Sequence, residues 1–243
     1  IQQVAFAASM DDARPILTGI LVSVNGDTIT MAAADGFRLS VRKARLSSPI
    51  ARPVRAVIPA GALRELARIA SDGDQTLTLV LPPGRGQVIF RLRDAELVSQ
   101  LIEGNFPDFE QIIPRRCDTR AVINTAAFLK ACKQAEIFAR EGSHIARIDI
   151  APGAELQPGT VEISGQSEET GHNQNIVDAT IEGSPLLIAF NVRFLREVLE
   201  VIKTPNVALE TSTPTSPGVV RPVGAPDGQD EFIHVIMPMH LGN

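Results

Sequence analysis

The apolar and polar positions of this chain fall into two similar halves. Helix-forming runs lie at 59–69 and 191–202, and Leu63-Arg64-Glu65 in the first recurs as Leu195-Arg196-Glu197 in the second, an offset of 132 residues. Each run follows a short apolar strand, at 56–58 or 186–190, and leads into three further strand-like runs, the last at 96–102 or 232–237. A three-residue identity arises easily by chance; the same ordered context on both sides of it predicts an internal duplication. The stretch from Glu103 to Pro114 separates the halves, so domains are expected at 1–113 and 114–243.

The rest of the pattern fills in around that frame. Val4, Phe6, Ala7 and Ala8 give an apolar stripe that predicts a helix over 1–12. Runs at 19–24 and 28–34 flank Asn25-Gly26-Asp27, and Asn-Gly is the preferred pair for a tight hairpin turn with positive φ. Asp35-Gly36 punctuates the chain again, and 37–42 then alternates with period two. After Pro53 a strand enters the helix at 59–70, which Ser71-Asp72-Gly73-Asp74 ends. Runs at 75–81 and 87–93 pair across Pro82-Pro83-Gly84-Arg85-Gly86. That glycine pair has neither the following helix nor the Lys-Ser/Thr of a phosphate loop, so it is a turn.

In the second half a strand at 120–123 precedes the strongest helix, 125–139, whose apolar face is expected from Phe128, Leu129, Cys132, Ala135 and Ile137. Strands at 145–150, 160–164 and 174–182, a helix over 191–203 and three closing strands complete the second copy, with exposed loops at 212–218 and 226–230. The first half has no counterpart of the strand at 120–123, and the chain starts without Met; a cut amino end is expected.

Composition narrows the class. With 243 residues, 44% of them hydrophobic and 21% charged, the chain reads as a soluble globular protein of one large or two ordinary domains. It has no apolar run near the roughly 18 residues of a membrane span and no signal-peptide pattern, so a cytoplasmic location is expected. Cys117 and Cys132 lack CxxC spacing and a nearby histidine pair; they read as free thiols, and no metal or other cofactor is expected. Aromatic residues make up 4%, all Phe, which removes the stacking platforms of single-strand binders. A net charge of −5 argues against a whole-surface nucleic-acid binder and leaves room for a local basic face.

Catalytic chemistry finds little support. His144, His172, His234 and His240 show no ligand spacing, and the carboxylates Asp11-Asp12, Asp72 with Asp74, and Glu168-Glu169 fall in expected turns or helix ends, where they cap and solvate. With no GxSxG, HExxH or Walker pattern, the chain is expected not to be an enzyme. Charge collects instead on the helices: the four expected helices, with Arg140 counted at the end of the third, sum to +2, which leaves −7 for the remainder. That is either an ordinary set of solvated faces or a weak, sequence-independent attraction to phosphate backbone.

Five motifs, in order, then become informative. Arg14-Pro15-Ile16-Leu17-Thr18-Gly19, Ala34-Asp35-Gly36-Phe37-Arg38-Leu39-Ser40, Glu103-Gly104-Asn105-Phe106-Pro107-Asp108-Phe109, Phe190-Asn191-Val192-Arg193-Phe194-Leu195 and Val235-Ile236-Met237-Pro238-Met239-His240-Leu241 together resemble the bacterial sliding clamp, the beta subunit of DNA polymerase III. The likeness covers the second and third of that family's three repeated domains. It implies an α+β DNA-clamp fold, in which tandem domains each pack two helices on curved antiparallel sheets. In that family two head-to-tail subunits form a ring, with sheets outside and helices lining a hole around duplex DNA. The implied function is a non-catalytic processivity factor. Its partners would be duplex DNA, held without sequence preference, and DNA polymerases, the clamp loader and repair proteins, bound through short peptides.

By motif position, the resemblance assigns the family's peptide pocket, which lies between its second and third domains, to Leu17, Gly36, Phe37, Arg38, Leu39, Pro107, Ile112, Asn191, Phe194, Val235, Met237, Pro238 and Met239. Methionines adapt to varied partners and Gly36 permits close backbone approach. The DNA-facing cations implied are Arg14, Arg64, Arg68, Lys130, Lys133, Arg193 and Arg196, and the apolar contact with a neighbouring subunit falls at Ile137 and Phe138. The family often has His where this chain has Phe37 and Arg where it has His240, and this chain runs on to Gly242-Asn243; these changes alter peptide preference. Without the first domain the ring is expected to stay open, although the full-length protein would form a homodimer ring. Two other classes remain as alternatives: a hydrolase with a site at the domain junction of a duplicated β-rich scaffold, and a duplicated adhesion or carbohydrate-binding module.

Overall fold

The computed structural model describes residues 1–70, 76–140, 143–154, 157–167, 171–224 and 231–240. The expected helix stop at 71–74, the carboxylates Asp72, Asp74, Glu168 and Glu169, the loop at 226–230 and the terminal Leu241-Gly242-Asn243 lie outside the described residues. The chain is α+β and divides into two compact units, Ile1–Phe109 with Asp227–Phe232, and Glu110–Pro226 with Ile233–Asn243.

The first unit opens with α1 (Gln2–Ala5), a single turn in place of the helix expected over 1–12. Short polar side chains take the backbone elsewhere: Ser9 Oγ accepts from Asp11 N at 3.0 Å, Asp11 Oδ1 accepts from Ala13 N at 2.9 Å, and Ser9 N donates to Leu17 O at 2.9 Å. Pro15, which has no N–H to give a helix ladder, then starts a 3-10 turn, Pro15–Thr18. Of the expected stripe, Val4, Ala7 and Ala8 are buried and Phe6 is half-buried, with Ala5 buried beside them.

Strands β1 (Gly19–Asn25) and β2 (Thr28–Ala34) form the expected hairpin, with Asn25 opposite Thr28 and Gly26 at φ 59°. β3 (Arg38–Arg45) pairs with β2 and β4 (Val54–Pro59) with β1, giving the antiparallel order β4-β1-β2-β3. α2 (Ala60–Ile69) follows, then a separate sheet of β5 (Thr78–Val80), β6 (Gln87–Arg91) and β7 (Glu96–Gln100). The glycine-rich stretch between β5 and β6 is a turn, with positive φ at Gly84 and Gly86. Val4, Ile20, Ile58, Leu63, Leu66, Val88 and Phe90 draw both helices and both sheets into one core.

The second unit is a single antiparallel sheet. Its strands are β8 (Thr119–Asn124), β9 (Ile145–Ala151), β10 (Gly159–Ser167), β11 (Gly171–Glu182), β12 (Leu186–Asn191), β13 (Asn206–Thr211), β14 (Gly218–Val223) and β15 (Glu231–Ile236). They run in the order β12-β9-β10-β11-β8-β13-β14-β15, so β8 bridges β11 and β13. Among the described residues the first unit has no such bridging strand, and β5-β6-β7 remains a separate ladder, touching β4 where Ile102 N donates to Val57 O at 2.9 Å.

Two helices, α3 (Thr125–Ala139) and α4 (Val192–Val201), pack on this sheet and on each other. Phe128, Ala131, Cys132, Ala135 and Ala139 form the buried stripe of α3. Ile137, expected on that stripe, is 66% exposed; two residues beyond Ala135 is about 200° around a helix, which turns it away. The duplication survives in detail: β4 and α2 begin and end 132 residues before β12 and α4.

Candidate functional site

In the first unit the candidate residues gather on the 3-10 turn and the 35–39 segment. Asp35 organises them. Its Oδ1 accepts from Phe37 N at 2.9 Å and Arg38 N at 3.1 Å, and its Oδ2 accepts from Arg38 Nε at 3.0 Å. Arg38 Nη2 continues to Phe6 O at 2.8 Å, and its guanidinium carbon stands 5.5 Å from the centre of the Phe6 ring. Arg14 lies over Gly36: its Nη2 donates to Asp35 O at 3.1 Å, and a Cβ on Gly36 would stand 2.9 Å from Arg14 Nη1. Gly36 also has φ 96°, so both space and backbone call for glycine. The segment leaves Phe37 58% exposed, while Leu17 and Leu39 are buried. Pro107 is exposed between the buried anchors Phe106 and Phe109.

In the second unit Asn191 caps α4, its Oδ1 accepting from Arg193 N at 3.1 Å, and Phe194 on the first turn is half-buried. The tail after β15 folds back on β12, where Met239 N donates to Ala189 O at 2.8 Å. That bond brings Met239 to the strand leading into Asn191. Met237 is 38% exposed, Pro238 and Met239 are half-buried, and Val235 is buried in the sheet opposite Val219. Ile112, 39% exposed, lies earlier in the same unit. Thus Phe37 and Pro107 present apolar surface in the first unit, where Leu17 and Leu39 are buried, and Ile112 and Met237 do so in the second, where Val235 is buried.

Apart from Lys130, the expected DNA-facing cations are engaged within their own units. Arg64 Nη2 donates to Ala5 O at 2.7 Å, and Arg68 Nη2 meets Glu65 Oε1 at 2.6 Å, a contact that holds the Glu65 carboxyl below its usual range. Arg14 lies 3.7 Å from Asp11. On α3 and α4, Lys133 pairs with Glu200 at 3.1 Å, Arg193 with Glu197 at 2.8 Å, and Arg196 with Glu136 at 2.7 Å and Glu200 at 3.4 Å. No acid among the described residues lies within ion-pair distance of the exposed Lys130. Ile137 is exposed and Phe138 half-buried on α3, with Ile137 one turn beyond Lys133 on the same face.

Asp35, Glu136, Glu197 and Glu200 were not among the expected site residues. Signals for three of them were present: Asp-Gly at a turn for Asp35, and carboxylates four residues after Arg193 and Arg196 for Glu197 and Glu200. Burial pushes the Cys132 thiol well above its usual range and, with Glu210 nearby, raises that of Cys117. Among the described residues no cluster of His, Cys, Asp and Glu is placed to hold a metal ion, and no helix is long and apolar enough to cross a membrane.

Comparison with known proteins decides the family. Residues 1–108 match the model of the DNA polymerase III beta subunit central domain, and residues 110–240 match that of its C-terminal domain. The chain belongs to the DNA polymerase III beta subunit family. The beta sliding clamp of Bacillus subtilis is 32% identical over 98% of this chain and 61% of its own length, and that of Streptomyces coelicolor 30% over 99% and 64%. Among solved structures, the B. subtilis sliding clamp superposes with a TM-score of 0.89 at 30% identity, over 99% of this chain and 61% of that one. A Pseudomonas aeruginosa sliding clamp bound to griselimycin gives 0.88 at 29% identity, over 99% and 62%. The chain therefore spans about three-fifths of the clamps it matches. It has their α+β clamp fold, and the order of its two units is that of the family's central and C-terminal domains.

Proposed function

We propose that this chain is the central and C-terminal part of a sliding clamp: a non-catalytic processivity factor that encircles duplex DNA and tethers polymerases and other replication or repair proteins by their short peptides. The observation that carries this is the match of both units, in order and nearly end to end, to consecutive clamp domain models. The exposed Phe37, Pro107, Ile112 and Met237 are the apolar contacts for such peptides, and the helix faces carrying Lys130, Lys133, Arg193 and Arg196 meet the duplex.

The physics suits that task. Two apolar anchors contribute roughly 1.5–3 kcal/mol each when buried, and after ordering costs a single peptide reaches about micromolar affinity. Cations already paired at home attract phosphate weakly, which favours a protein that holds DNA by topology and lets it slide.

Thermal-shift titration with a Gln-Leu-x-Leu-Phe peptide tests the reading. The peptide is expected to raise the melting temperature, and Met237→Glu to remove that response while leaving the unliganded melting temperature near the parent's. Griselimycin, which binds the P. aeruginosa relative, is a second probe expected to stabilise the chain. No stabilisation by either ligand would overturn the peptide-binding role.

A further inference from the structure

The cations of α3 and α4 have rivals for phosphate built beside them. Two ion pairs bridge the helices, Lys133 to Glu200 at 3.1 Å and Arg196 to Glu136 at 2.7 Å, and two run along α4, Arg193 to Glu197 at 2.8 Å and Arg196 to Glu200 at 3.4 Å. Three acids thus meet three cations. The pairs differ in their access to solvent: Lys133 and Glu200 are 51% and 37% exposed, Arg193 is 50% exposed against a Glu197 that is only 16% exposed, and Arg196 and Glu136 are 26% and 15% exposed. The bridging pair in the interior fixes one helix against the other. Lys133 and Glu200, both open to solvent, can exchange partners, and the exposed Arg193 can leave Glu197, which Arg196 also meets at 3.8 Å.

We propose that Glu197 and Glu200 act as internal competitors for phosphate. They hold Arg193 and Lys133 in exchangeable ion pairs, so duplex DNA binds this face by displacing carboxylates and leaves as readily. This rests on the reading that the α3–α4 face meets the duplex. Exposed ion pairs are weak and rearrange at little cost, and a phosphate offers the same charge-assisted bonds to Arg193 and Lys133 that the carboxylates do. Each cation released to DNA displaces condensed counterions and steepens the salt dependence; each cation kept at home removes that contribution. Affinity on this face is therefore set by the acids as much as by the cations that the family likeness points to.

The test is fluorescence anisotropy of a short labelled duplex against the parent, Glu197→Gln with Glu200→Gln, Lys130→Glu, and Glu182→Gln. The last removes the same kind of charge from a β11 side chain that is 72% exposed. The double variant is expected to bind about fivefold tighter per carboxylate removed, with a log–log salt slope steeper by about 0.9 for each of the two cations released. Glu182→Gln is expected to stay within about twofold of the parent, which separates local competition from net charge. If Lys130→Glu weakens binding while the double variant keeps the parent's affinity and slope, the competition is refuted and the DNA-facing reading stands. If Lys130→Glu binds like the parent, the DNA-facing reading fails and this proposal with it. Equal tightening by Glu182→Gln would also overturn it. Should the double variant melt early, Glu200→Gln alone reads out the same competition at Lys133.

Discussion

Adding one methyl group at Gly165 should separate α3 from the sheet it packs on. A Cβ built there would run into the carbonyl oxygen of Ala135 and stand 3.1 and 3.3 Å from that residue's carbonyl carbon and Cα. These are backbone atoms of a helix buried through Phe128, Cys132 and Ala139, so no flexible side-chain end can yield. Overpacking of a filled interior costs about 1–3 kcal/mol, and the upper part of that range applies where a helix must shift as a body. At roughly 2–4 °C per kcal/mol for a chain of this size, Gly165→Ala should melt about 5–10 °C below the parent. Gly61→Ala is the matched control: it lies inside α2 with open space where its Cβ would go. Relief of the glycine penalty in a helix is worth about 0.5–1 kcal/mol, so that variant should melt about 1–4 °C higher. Differential scanning calorimetry of the two variants decides the matter. A Gly165→Ala protein melting within about 1 °C of the parent, or both variants shifting in the same direction, would refute the close approach of α3 and β10.

Gly36→Ala should abolish the peptide-induced melting shift, because it places a methyl against Arg14 and strains a backbone at φ 96°; a retained shift would mean the 35–39 segment does not contact peptide. Thiol titration with a chromogenic disulfide should modify Cys117 slowly in the native protein and Cys132 only after denaturation, as burial raises both thiols and fully encloses Cys132. Because folding raises the Cys132 pKa, its contribution to stability is intact below the unfolded thiol's value near about 8.5 and lost as pH rises above it, by up to about 1.4 kcal/mol per unit. Cys132→Ala should therefore show a shallower decline in urea stability between about pH 8.5 and 10; an equal decline would assign the pH dependence to other groups.

Much of the fold was legible because the decisive signals are local and repeated. Asn25-Gly26 fixed one hairpin, and Leu63-Arg64-Glu65 with Leu195-Arg196-Glu197 marked two helices whose ends keep the 132-residue offset in the structure. The failures occurred where local polar chemistry overrode an apolar stripe. Ser9 and Asp11 bind nearby backbone and stop α1 after one turn, and Ile137 looks like a core residue until the 3.6-residue period places it.

The candidate site was legible only in part. Its exposed apolar residues can be quoted from motifs, but the turn built by Asp35 and the cap built by Asn191 depend on side-chain-to-backbone bonds. Counting charge per helix gave its sign; it could not show that Lys133, Arg193 and Arg196 are each met by a carboxylate. Pairing of that kind depends on how α3 and α4 lie against each other.

The central claim, proposed above, is that this chain captures short peptides through its exposed apolar side chains. Isothermal titration calorimetry with a Gln-Leu-x-Leu-Phe peptide tests it most directly, on the parent, on Phe37→Glu in the first unit and on Met237→Glu in the second. The account predicts one site of about micromolar Kd, with at least a tenfold loss in each variant. Parent-like binding in either variant, or no binding heat from the parent, would contradict it.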